Sequence, residues 1–324
     1  MTKSAGEDVG IDYWMKWQVM VCGLIIAIPA AIVINIIKSR NRNLKKSQNL
    51  NNYLLWLPSW RNLHPKWLLL YRAFAFLSMA FLLYQILLFA GLFALYFYTQ
   101  WTFVLVMLYF AIGTFVSAQG CLMSSNKAPT GNAEKHKVVE KESGTALSST
   151  NLQLHDGGDE SHEGAGVLGS LMLIIYQTSA GASVLTDLVF WFILVPMMSG
   201  KQFQLTLLIG CIHSLNVVFL VIDALLNALP FEWFGFCYFI LWSITYVTFQ
   251  WILHACGSTW WPYPFLELST PWAPLWYLGL ALIHVPCYGV YYMFVKAKNL
   301  IFSKLFERAF VRSHGWILQH HKAA

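Results

Sequence analysis

Charge is missing from most of this chain. Between Trp67 and Met123 the sole charged side chain is Arg72, and between Val167 and Val295 the charged residues are Asp187, Lys201, Asp223, Glu232 and Glu267. Apolar runs of that length exceed what one soluble core can hide, so the chain reads as a polytopic membrane protein. Every polar residue kept inside such a run then needs a physical reason, because a charge in hydrocarbon is expensive.

A helix of about 20 apolar residues crosses a bilayer. On that ruler seven spans are expected, near 17–37, 67–89, 101–123, within 167–198, and near 203–226, 233–254 and 272–295. The fourth window is too long for one upright helix, so a tilted or interfacial first part is expected. Irregular backbone is not tolerated against lipid, and no barrel-type alternation is visible. The expected fold class is therefore an all-α membrane helical bundle.

Lysine and arginine set the orientation. The first connection carries Lys38, Arg40, Arg42, Lys45, Lys46, Arg61 and Lys66 without an acid, and the tail carries Lys296, Lys298, Lys304, Arg308, Arg312 and Lys322 against Glu307. Positive-inside places both in the cytoplasm, with the N-terminus outside and the C-terminus cytoplasmic. The organisation is then 1–66 (first span and basic connection), 67–123 (spans two and three), 124–166 (a polar, acidic loop), 167–295 (spans four to seven) and 296–324 (a basic tail). The loop has the composition of a disordered segment, and the stretch 301–318 reads as an amphipathic surface helix. Plasma membrane and endoplasmic reticulum or other endomembranes fit equally.

Net charge is +6, yet the basic residues flank spans and form no aromatic-interleaved face, which argues against a nucleic-acid partner. Six cysteines form no CxxC pair, and His136, His155 and His162 are irregularly spaced, so neither a metal nor a cofactor is expected. Protein partners are not legible.

Polar residues inside the spans carry what functional signal there is. At about 100° per residue, His213, Asn216, Asp223 and Asn227 share one stripe of the fifth span, which must face other helices or a polar cavity. Asp187 lies in the fourth span and His254 near the outer end of the sixth. Asn216, Asn227, Ser243 and Thr245 read as interhelical glue, and His284 as a lone structural histidine. Thr102 sits where the third span begins, a helix-cap position; it gains interest only if a base reaches it. The connection from Cys256 to Glu267 is rich in Trp, Tyr and Pro, which suits an interfacial belt or a rim over a cavity.

The segments Trp101-Thr102-Phe103, Phe190-Trp191, His213 through Asp223, and Gly257 through Trp261-Pro-Tyr-Pro-Phe-Leu-Glu267 together resemble the androgen-induced transmembrane protein family and the related rolling-stone-like membrane proteins. The resemblance covers about 67–295. It implies a threonine-type hydrolase of fatty acyl esters, with Thr102 as nucleophile and His213 as its base. Asp187, Asn216, Asp223 or His254 would support them, and Trp261, Tyr263 and Glu267 would line the lipid site. Asp223 is too far along its helix to touch His213, about 15 Å by the usual rise. The rolling-stone side of the resemblance implies instead a non-enzymatic membrane scaffold or a fusion- or signalling-related protein.

Overall fold

The structure, a computed structural model, describes residues 11–44, 52–126, 159–198 and 206–311. Among them, seven helical stretches are long and apolar enough to cross a membrane. These are α1 (Trp17–Leu44), α2 (Pro65–Ala90), α3 (Tyr98–Asn126) and α4 (Asp159–Val189). The fifth is split into α5 (Leu207–Ile212) and α6 (Leu215–Leu226) and is followed by α7 (Gly235–Ala255) and α8 (Ala273–Leu305). The described residues form no named strand, and the fold is an all-helical bundle of multi-pass membrane type.

Local chemistry sets the helix ends. His64 is extended, its ring accepts the Lys66 N–H at 3.2 Å, and Pro65 opens α2 with its φ already helical. Gly91 closes α2 with φ of +59°, a conformation that a residue without a Cβ adopts freely. Helix α4 does not stop at Val189. It passes through one π-helical turn, Phe190–Leu194, into a last turn at Val195–Met198, so the long fourth window is a single run.

Alternating directions give the bundle two ends. The basic end gathers Leu44, Pro65, Leu226, Gly235 and Leu305; the aromatic end gathers Trp17, Ala90, Tyr98, Ala255 and Ala273. At the basic end the connection before α2 is stitched to the chain beyond α8. Ser59 donates its N–H to Leu226 O at 2.8 Å and accepts the Val311 N–H at 2.8 Å, while Trp60 packs on Phe302, Phe306 and Phe310.

Two expectations change here. The amphipathic helix expected over 301–318 ends at Leu305, because the turn that follows docks on Trp60; residues 312–324 lie outside the described ones. Residues 159–166, assigned to the polar loop, are helical and lead into the fourth span, which begins at Val167 as expected; residues 127–158 lie outside the described ones.

Helix α4 is central and packs against α3, α6, α7 and α8, while α1 rests against α7 and α8. Close approach to α7 depends on Gly181, where an added Cβ would stand 2.7 Å from the Phe239 ring. Phe239 has no exposed surface and cannot retreat. Gly181→Ala should cost about 1–3 kcal/mol. The expected outcome is a lower unfolding temperature in detergent, followed by intrinsic tryptophan fluorescence.

Candidate functional site

The largest polar cluster lies toward the basic end, around Asp223 of α6. Arg72 of α2 reaches it through Nε at 3.0 Å, and both side chains are fully buried. Arg72 Nη1 also donates to Leu55 O and to Ser117 Oγ, each at 2.8 Å. The other Asp223 oxygen accepts from the Tyr109 hydroxyl and from Asn227 Nδ2, the latter at 2.6 Å. Lys298 of α8 donates to Ala224 O at 2.7 Å and Asn227 O at 3.2 Å, where the carbonyls left open at a helix C-terminus favour a cation. Tyr71, Tyr291 and Trp60 donate to the carbonyls of Phe219, Leu220 and Leu225. Three other segments, the connection before α2, α2 and α8, thus donate to backbone carbonyls of a twelve-residue helix.

The stripe expected on the fifth span is broken. Ile212 ends α5, Ser214 precedes α6 at φ −137°, and His213 lies between them outside regular helix. His213 is therefore out of register with Asn216 and Asp223. Its ring lies flat on Phe190, centroids 3.5 Å apart and 3° between planes, and its carbonyl accepts the Trp191 indole N–H at 3.3 Å. Nδ1 has no partner.

Thr102 is fully buried in the second turn of α3, past the cap position assigned to it. Its hydroxyl lies 3.5 Å from that of Thr186, which donates its own proton to Ala182 O at 2.5 Å, and Tyr98 precedes it by one turn on the same face of α3. Among the described residues no hydrogen bond joins Thr102 to His213.

Several further polar atoms near mid-bundle lack partners. Both amide atoms of Asn216 do, as do the hydroxyls of Thr178, Ser179 and Ser183 and one oxygen of Asp187. Buried polar groups of this kind bind water or a polar ligand when the interior has room for one. Ser179, Ser183 and Asp187 recur every fourth residue and so share one face of α4.

At the aromatic end, His254 packs between Trp261 and Tyr13, with ring centroids at 4.3 and 5.0 Å, and neither of its nitrogens is hydrogen-bonded. Glu267 accepts from the Tyr13 hydroxyl at 3.1 Å and from the Ser269 N–H at 2.9 Å. Burial, then the charge of Glu267, pushes the Tyr13 hydroxyl above its ordinary range. Tyr263 stacks on Phe265, and the whole box packs on Val19, Tyr246 and Tyr277 as a folded cap over α1, α7 and α8. A separate groove of about 340 Å³ runs between α1 and α7, lined by Trp14, Gly23, Ile26, Thr248, Trp251, Ile252 and Ala255. Trp261, Tyr263 and Glu267 do not line it. No group of three His, Cys, Asp or Glu able to hold a metal occurs among the described residues.

One arrangement was not foreseen. His284 of α8 contacts Leu280 O through Nδ1 at 2.6 Å and Ser243 Oγ of α7 through Nε2 at 2.8 Å. Ser243 in turn lies 2.8 Å from the Tyr98 hydroxyl. Three side chains from three helices therefore form one chain of polar contacts. Polar residues in an apolar span were the visible signal; their pairing across helices was not.

No family model matches this chain, and neither a curated protein nor a solved structure shows significant similarity to it.

Removing one partner of the Arg72–Asp223 pair should cost about 3–5 kcal/mol, because the other charge stays buried alone. Asp223→Leu and Arg72→Leu are each expected to abolish a monodisperse peak in detergent size-exclusion chromatography. The double variant should recover part of it.

Proposed function

We propose that this multi-pass membrane protein hydrolyses long-chain acyl esters within the bilayer, at the hydroxyl cluster that includes Thr102. The observation that carries this reading is the line Tyr98–Ser243–His284, two hydroxyls ending on an imidazole inside the bundle, with Thr102 one helical turn after Tyr98 on α3. Acyl transfer needs an activated hydroxyl and a base within hydrogen-bond reach, and these residues supply both. The resemblance to the androgen-induced transmembrane family points to the same chemistry. Partnerless polar atoms on α4 and at Asn216 offer places for water, the second reactant.

A second reading is favoured by a different observation. Thr102 and His213, the pair the resemblance names, share no hydrogen bond, and the Trp261–Glu267 box is a packed cap. A non-enzymatic scaffold of rolling-stone type needs neither.

Purified full-length protein in detergent, given a fluorogenic long-chain acyl ester, should release the fluorophore. Thr102→Ala should lower the rate about tenfold, the loss of one hydrogen bond in the reactive cluster. Wild-type protein inert toward several chain lengths would leave the scaffold reading standing.

A further inference from the structure

We propose that Ser243 and His284 are the nucleophile and general base of this site. The inference rests on the hydrolase reading above and names the groups that carry it out.

Hydrogen-bond direction is fixed by chemistry. A backbone carbonyl only accepts, so the 2.6 Å contact with Leu280 O places the imidazole proton on Nδ1. The neutral ring then presents a lone pair at Nε2, and Ser243, 2.8 Å away, must donate to it. Having given its one proton to His284, Ser243 accepts from Tyr98. Every link points the same way, toward Nε2. Phe239, with its centroid 4.7 Å from the imidazole, holds the ring in place. A nucleophile on a base, and the base on an orienting acceptor, is the arrangement that activates a hydroxyl.

The other histidines of the spans have no such partner. His213 has no hydrogen bond at Nδ1 and lies on Phe190; His254 has none at either nitrogen. Ser243 keeps part of its surface open, whereas Thr102 is wholly enclosed, so the serine is the hydroxyl that a substrate can reach.

The chemistry balances with water as co-reactant. Ser243 Oγ bonds to the ester carbonyl carbon as its proton passes to His284 Nε2. The ester C–O bond breaks, and the leaving alcohol takes that proton. Water then attacks the acyl-serine and gives a proton to Nε2; the fatty acid departs and the proton returns to Ser243.

The decisive experiment exposes the full-length protein in detergent to an alkyl fluorophosphonate, with the adduct located by peptide mass spectrometry and ester hydrolysis measured in parallel. Expected are an adduct on Ser243, loss of labelling and about 1000-fold slower hydrolysis in Ser243→Ala, and about 100-fold slower labelling in His284→Gln. Tyr98→Phe, which leaves the base untouched, should slow both about tenfold, and His213→Ala should change neither by more than about threefold. Should a His284 variant fail to fold, the wild-type adduct position still decides. An adduct on any other residue, or hydrolysis by Ser243→Ala within tenfold of an active wild type, overturns the couple and leaves the hydrolase reading intact. Wild type that neither labels nor hydrolyses overturns both.

Discussion

The buried pair of Arg72 and Asp223 is the interaction on which the rest of the bundle depends. Two charges taken out of water are tolerated only when their remaining hydrogen-bonding capacity is met, and here Leu55, Ser117, Tyr109 and Asn227 meet most of it. The same residues fix where α2, α3 and α6 cross and seat the connection that precedes α2. Lys298 adds a second cation against the carbonyl end of α6. A helix of three turns that begins at the interruption at His213 and Ser214 is thereby anchored to its neighbours.

Farther into the bundle the polar residues behave differently. Around Asp223 nearly every donor has an acceptor, as a rigid joint requires. On the α4 face bearing Ser179 and Ser183, and at Asn216, partners are missing. Apart from both runs the line from Tyr98 to His284, satisfied link by link and ending on an imidazole lone pair that accepts from a serine. Such a line is where a bundle can afford chemistry, since its proton has one destination.

How much of this was legible follows from what hydropathy encodes. Span positions were readable because transfer of about twenty residues into lipid is a sum over local sequence, insensitive to neighbours. Arg72 and Asp223 stood out singly for the same reason. Their pairing did not, since it joins positions 151 residues apart and depends on how α2 and α6 are rotated about their axes. The stripe drawn through His213, Asn216 and Asp223 assumed one unbroken helix; the break at His213 rotates that residue away onto Phe190. His284 was passed over as solitary because its serine lies 41 residues earlier on another span. The aromatic box was recognisable as a turn from its prolines, whereas the grip of Tyr13 on Glu267 required the fold.

The separation of Arg72 from its counter-ion also sets a schedule for biosynthesis. A ribosome working at about 5–20 residues per second needs roughly 8–30 s to travel the 151 residues from Arg72 to Asp223. Throughout that interval the second span carries an unmatched guanidinium whose exposure to lipid costs about 2.5–3.5 kcal/mol. It is therefore favourable for the second span to wait beside the insertion machinery, within reach of water or protein, until the fifth arrives to release it.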